Sequence, residues 1–162
     1  MNNLTEEIIS LMIEKAYEAR KNSYAPYSHF AVGAALLVQN RDKNDEVHYS
    51  DGEDKAYHII TGCNIENAAY SPGNCAERTA VFKAISSGYS EFLAIAIIAD
   101  EKDRQDMPAK SYVSPCGVCR QVLREFVDED EFAVIMARSR EDYRIMSLGE
   151  LFPLSFGPGF NS

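Results

Sequence analysis

Phe92-Leu93-Ala94-Ile95-Ala96-Ile97-Ile98-Ala99 is an unbroken apolar run of strand length. A strand with one wet face would carry a polar side chain at every second position. This one carries none, so it belongs to a sheet covered on both faces. Beyond it, Gly117 to Val127 reads as a helix, with Val118, Val122, Leu123 and Phe126 apolar. Phe132 to Ala137 follows as a second buried strand. Before it, Ala76 to Ser87 reads as a helix closed by Gly88, just past its C-cap. Strands alternating with helices over this half predict parallel neighbours with helices on both faces.

Towards the N-terminus, Thr5 can cap a helix in which Ile8, Leu11, Met12, Ala16 and Ala19 recur at helical spacing, with Glu6 and Glu7 in the first turn. The helix should end before the turn-rich Ser23-Tyr24-Ala25-Pro26-Tyr27-Ser28. Phe30 to Val38 is a buried strand, and Gly33 within it predicts close approach by a neighbour or ligand. Tyr57 to Thr61 resumes a strand that Gly62 should end. Between them, Asn40 to Asp54 is strongly charged and predicts the tip of an extended hairpin. Tyr143 to Met146 reads as a short edge strand, and Ser147 to Phe152 as a short helix stopped by Pro153. The order α-β-β-α-β-α-β-β-α predicts an α/β fold: three layers, α/β/α, around a mixed, mainly five-stranded sheet. With no repeat or Pro/Gly-rich linker, residues 1–162 form one domain, with a charged hairpin extension around 40–56.

The formal net charge is −9 over 162 residues, and the pI is about 4.8. Such a surface is repelled by phosphate backbones and anionic lipid, which argues against nucleic-acid or membrane partners. No apolar run approaches the roughly 20 residues that span a bilayer. Met1-Asn2-Asn3-Leu4-Thr5-Glu6-Glu7 lacks the basic start of a secretory signal, so the expected location is cytoplasmic. In that setting the 4 cysteines point to metal binding or catalysis before disulfides.

Three of those cysteines fall into two clusters, Asn74-Cys75-Ala76-Glu77-Arg78 and Pro115-Cys116-Gly117-Val118-Cys119-Arg120, each opening a helix. Cys116 and Cys119, three apart, share one side of a helical turn, and Pro115 suits a helix entry. With Cys75 they offer three thiolates to one metal. Three ligands with a free fourth position make a catalytic zinc site, whereas a structural site closes with a fourth ligand. Thiolate softness selects zinc. Three thiolates on Zn²⁺ leave an excess negative charge, which two helix N-termini and Arg78 can offset; Arg78 is the candidate donor to a ligand sulfur. Water at the open position becomes acidic near neutral pH, and Glu77 can carry its proton as general acid and base.

Cys63 offers an alternative: as a fourth ligand it would close a purely structural Cys₄ site with a protein partner. It reads better as an inert thiol at a strand end, without a partner at ligand spacing. A thioredoxin-like use of Cys116 and Cys119 leaves Cys75 and Glu77 unexplained. His29, His48 and His58 are scattered and read as structural or surface residues.

At these residues the chain resembles the small, homotetrameric class of cytidine deaminases. The similarity runs from about Tyr17 to Phe156, through Tyr24 to Leu36, Gly62 to Tyr70, Asn74 to Ala80 and Pro115 to Gln121; the link between such a zinc motif and deamination is a general one. The resemblance implies one Zn²⁺ per subunit on Cys75, Cys116 and Cys119, and Glu77 moving protons between water, the pyrimidine N3 and the departing ammonia. It implies that Phe30 packs on the base, the Ala76 backbone reads it, and Asn64 and Glu66 hydrogen-bond the sugar hydroxyls. Tyr70 and Phe156 would reach a neighbouring subunit's site in a homotetramer. The implied reaction converts cytidine and deoxycytidine to the uridine forms, a step of pyrimidine salvage. The absence of a Gly-rich phosphate loop, together with the Glu66 carboxylate, favours a free nucleoside over a nucleotide. A related aminopyrimidine nucleoside antibiotic is the alternative substrate. The charged hairpin looks longer than usual for the family, either as a solvated extension or as an added edge to the site or a subunit contact.

Overall fold

In the computed structural model, residues 4–39, 49–50, 56–69, 71–104 and 107–158 are described. Helix α1 (Glu6–Arg20) leads into β1 (Phe30–Gln39), β2 (Tyr49–Ser50), β3 (Ala56–Cys63), α2 (Ala76–Ser86) and β4 (Phe92–Glu101). A 3₁₀ turn at Lys102–Arg104 precedes α3 (Gly117–Arg124), β5 (Ala133–Ala137), β6 (Tyr143–Ser147) and α4 (Leu148–Leu151). The strands form one mixed sheet in the order β2-β3-β1-β4-β5-β6. β2 is a two-residue addition to β3, leaving the five strands the sequence predicts. Most of the charged hairpin lies outside the described residues, as does His48.

β1 occupies the middle, antiparallel to β3 on one side and to β4 on the other, while β4 and β5 are parallel. The β3-α2-β4 connection steps over β1, and β4-α3-β5 continues in the same direction across the sheet. Crossovers of one hand running the same way put their helices on one face. Helices cover both faces of the sheet, as expected: α2, α3 and α4 share a core with Leu36, Ile95, Ile97 and Val134 on one side. The opposite face packs on α1 through Ile8, Met12, Ile13 and Ala16, against Ala35, Leu37, Ile98 and Ile135. Alternate residues of β4 thus enter different cores, which is why its run contains no polar residue.

Two glycines set the distance between layers. A Cβ at Gly33 would lie 2.7 Å from the Arg20 backbone nitrogen, so the close neighbour is α1. Gly62 does not end β3, as expected, but lies within it; a Cβ there would meet the Ala80 backbone nitrogen at 2.5 Å. Its role is to let α2 lie down on the strand. Helix α3 is shorter than expected and stops at Arg124, with Phe126 already in a turn to Leu123. Gly88, at φ 89°, closes α2 as expected. Thr5 caps α1 through Ile8 N–H, and Ser147 with Glu150 forms a capping box on α4.

This topology gathers several elements at one end of the sheet's central strands. The start of β1, the ends of β3 and β4 and the N-termini of α2 and α3 all lie there, so segments far apart in sequence meet.

Candidate metal centre

Cys75 is the N-cap of α2 and Cys116 the N-cap of α3. The Cys116 Sγ accepts the Cys119 N–H at 3.4 Å, an ordinary capping bond made by sulfur. Cys75 makes no such bond, so its sulfur is free to turn towards the other two. The Sγ atoms lie 3.8 Å apart for Cys75 and Cys116 and 3.3 Å for Cys116 and Cys119. All three fall within 4.8 Å of one another. Zinc–sulfur bonds of about 2.3 Å put tetrahedral corners about 3.8 Å apart, so the sulfur set fits a zinc ion with little adjustment. Cys119 is buried and Cys116 exposed, so the centre has a dry side and an open side. Cys63 is a free, half-buried thiol outside this group, and burial pushes its thiol up.

The local field favours a thiolate at Cys75. The Cys119 thiol donates to it and, against the opposing effect of burial, Arg78 and Cys116 help to bring its pKa down to about 5. Cys119 moves the other way, because its proton is engaged by Cys75 and its surroundings are buried. The two thiols are thus pushed in opposite directions, and a cation that binds both sulfurs competes with protons for them. Arg78 Nη2 stands 3.6 Å from Cys75 Sγ.

Glu77 follows Cys75 by two residues and is 5 % exposed. Burial, aided by the Cys75 charge, raises its carboxyl to about 7, against the opposing pull of its own backbone N–H and of Cys119. A carboxyl poised there can accept a proton and return it near neutral pH. Ala76 is fully buried, and as the first residue of α2 its N–H has no acceptor within the helix.

Arg120, absent from the expected set, organises the second cysteine loop. It donates from Nε to the Pro115 carbonyl at 2.8 Å, from Nη1 to the Leu151 carbonyl at 2.6 Å and from Nη2 to Ser114 Oγ at 2.9 Å. Its place directly after Cys119 was the available signal.

A second group stands at the start of β1. Phe30 is exposed rather than packed in the core. The Asn64 amide replaces a rung of the β1–β3 ladder: its Oδ1 accepts the Val32 N–H at 2.8 Å and its Nδ2 donates to the Phe30 carbonyl at 2.9 Å. Glu66 Oε2 accepts the Tyr27 and Ser28 N–H groups at 2.9 and 3.3 Å. Hydrogen bonds from the Ser28 hydroxyl and the Tyr27 backbone hold its carboxyl below the usual range. Asn64 and Glu66 thus hold the loop that carries Phe30, a role the sequence did not announce. His29, with φ 56°, completes that turn at the surface, and His58 is buried.

Phe156 is 59 % exposed, and Gln121 Nε2 donates to its carbonyl, tying the C-terminal segment to α3. Tyr70 lies outside the described residues. No helix among the described residues is long and apolar enough to cross a membrane.

Residues 6–136 match the family model described as the cytidine and deoxycytidylate deaminase zinc-binding region. A cytidine deaminase of Sporosarcina psychrophila is 40% identical over 91% of this chain and 90% of its own length. One from Halalkalibacterium halodurans is 40% identical over 90% and 92%. The crystal structure of cytidine deaminase from Burkholderia pseudomallei superposes with a TM-score of 0.71 at 37% identity, covering 94% of this chain and all of that one. With the cysteine triad, the buried glutamate and the mixed sheet in place, the chain belongs to the cytidine and deoxycytidylate deaminase family of zinc-binding enzymes.

Proposed function

We propose that the protein is a single-domain zinc hydrolase that deaminates cytidine and deoxycytidine to uridine and deoxyuridine, releasing ammonia. The observation that carries this reading is the buried Glu77 carboxyl two residues from a triangle of three sulfurs.

Cys75, Cys116 and Cys119 would hold the ion, with Arg78 offsetting the charge of the Cys75 thiolate. An ion held there would lower the pKa of a bound water to about 7 and so make hydroxide available near neutral pH. Glu77 takes a proton from that water and delivers it to the ring N3. It then takes the proton of the hydroxyl added at C4 and passes it to the exocyclic nitrogen, so that the C4–N bond breaks, ammonia leaves and the C4 carbonyl forms. Its raised pKa suits both directions of transfer. Phe30 packs on the base, and the Ala76 backbone reads its edge. Asn64 keeps one Nδ2–H and Glu66 keeps Oε1 beyond their bonds to the β1 loop. One donor beside one acceptor suits sugar hydroxyls, which can accept from one and donate to the other. A carboxylate at that place disfavours a phosphorylated sugar, hence a free nucleoside.

Phe156 would reach a neighbouring subunit's site in a homotetramer; its exposure supports this. Four free thiols support work in the reducing cytoplasm.

Purified, zinc-replete protein should release ammonia from cytidine, stop when the metal is stripped and resume when zinc returns. No release from cytidine overturns the proposal, and turnover of an aminopyrimidine nucleoside antibiotic instead would reassign the substrate.

A further inference from the structure

Ser23 is 3 % exposed and belongs to no part of the reaction described above. Its backbone is fixed on both sides: its N–H donates to the Arg20 carbonyl at 3.0 Å, and its carbonyl accepts Lys102 Nζ at 3.1 Å. The segment it opens is zipped to the segment bearing Asn64. Tyr24 N–H donates to the Asn64 carbonyl at 3.1 Å, and Glu66 N–H to the Tyr24 carbonyl at 2.8 Å. From this anchored position the Ser23 hydroxyl meets Asn64 Oδ1 at 2.5 Å.

The direction of that bond follows from its surroundings. Val32 N–H can only donate and the Phe30 carbonyl can only accept, so the Asn64 oxygen faces Val32 and Ser23 while the nitrogen faces Phe30. The Ser23 hydroxyl is therefore the donor. An amide side chain offers two acceptor sites on oxygen and two N–H donors. With Val32 and Ser23 on the oxygen and Phe30 on one N–H, a single N–H is left. Double acceptance at the oxygen also polarises the amide and strengthens that remaining donor.

We infer that Ser23 is a positioning residue for the nucleoside's sugar: its hydroxyl pins the Asn64 amide so that one Nδ2–H is held ready for a sugar hydroxyl oxygen. This rests on the sugar-binding reading of Asn64 and Glu66. Removing the Ser23 hydroxyl leaves the two β1 bonds in place, so the loop bearing Phe30 stays put. The amide, however, loses its third anchor and a buried lone pair loses its donor. The contact assigned is to the ring hydroxyls at C2′ or C3′, so substrates that carry them should feel the loss and substrates that lack both should not.

The test compares zinc-replete wild type and Ser23→Ala on cytidine and on 2′,3′-dideoxycytidine. Loss of one neutral hydrogen bond predicts a KM for cytidine about three- to tenfold higher, with kcat essentially unchanged. The constants for the dideoxy nucleoside should stay at wild-type values. If wild type itself handles both nucleosides equally well, the sugar-binding reading falls and this inference falls with it. If wild type prefers cytidine but Ser23→Ala matches it on both substrates, the inference alone is overturned. Equal weakening on both substrates overturns it too, because Ser23 would then support the fold rather than the sugar contact.

Discussion

Arg78 Nη2 lies 3.6 Å from the Sγ of Cys75, one turn away on the same helix. The cation and the helix N-terminus act on the same sulfur, the one whose thiol is brought down to about 5. Replacing Arg78 by Ala removes a donor to a ligand sulfur, an outer contact of the kind worth about 10–100-fold in metal affinity. Competition with a chelator of known affinity should show Arg78→Ala losing zinc within that range. Affinity equal to wild type would mean the guanidinium does nothing for the sulfur.

Glu77 is buried beside the sulfurs but is not one of the ligands. Glu77→Gln should retain zinc at one ion per chain and keep the melting temperature, while kcat falls by about 10²–10⁴. Metal content and ammonia release on the same preparation check this. Substantial turnover in the variant would remove Glu77 from the proton transfers.

Asp100 is 3 % exposed, and its carboxylate accepts from Glu101 N–H, Lys110 N–H and Arg104 Nε. Burial works against the charge, but these donors outweigh it and hold the carboxyl below its ordinary value of 3.8. A depressed folded-state pKa contributes stability above the unfolded value and loses it as pH falls through the folded one. Asp100→Asn should therefore melt lower than wild type at pH 7, with the gap closing below about pH 4. Melting curves across that range check it. A gap that stays constant into acid would show that the charge itself contributes nothing.

Gly33 faces the backbone of α1, where an added Cβ comes within 2.7 Å of Arg20 N and 2.9 Å of Arg20 Cβ. Gly33→Ala must push the helix off the sheet, an overpacking cost of about 1–3 kcal/mol. At roughly 2–4 °C per kcal/mol for a chain of this size, the melting temperature should drop measurably. Unchanged melting would show that α1 has room to shift.

How much of this was legible depends on whether the cause was local. The β4 run showed in sequence that both faces were covered, because burial on two sides removes every polar residue from the strand. Cys75 with Glu77, and Cys116 with Cys119, were legible as candidates because each pair is a spacing within one helical turn, whereas the meeting of the two helix starts depends on the sheet. The placement of α2 and α3 on one face could not, since it follows from the strand order, in which β1 lies between β3 and β4. Gly62 resembled a strand end because a glycine that admits a helix and one that stops a strand look alike in sequence. Ser23 gave no signal: it sits in a polar turn, and its partner Asn64 is 41 residues away.

The capping positions of Cys75 and Cys116 have a mechanical consequence. An ion shared by these residues would be a buckle joining two helix starts 41 positions apart, closing a long loop that the unfolded chain would have to give up. Catalysis and endurance would then hang on one fastening. Chelation would loosen the α2–α3 face while leaving the α1 face clasped, so early proteolytic cuts in stripped protein should fall around Ser114–Gly117 rather than in the first helix.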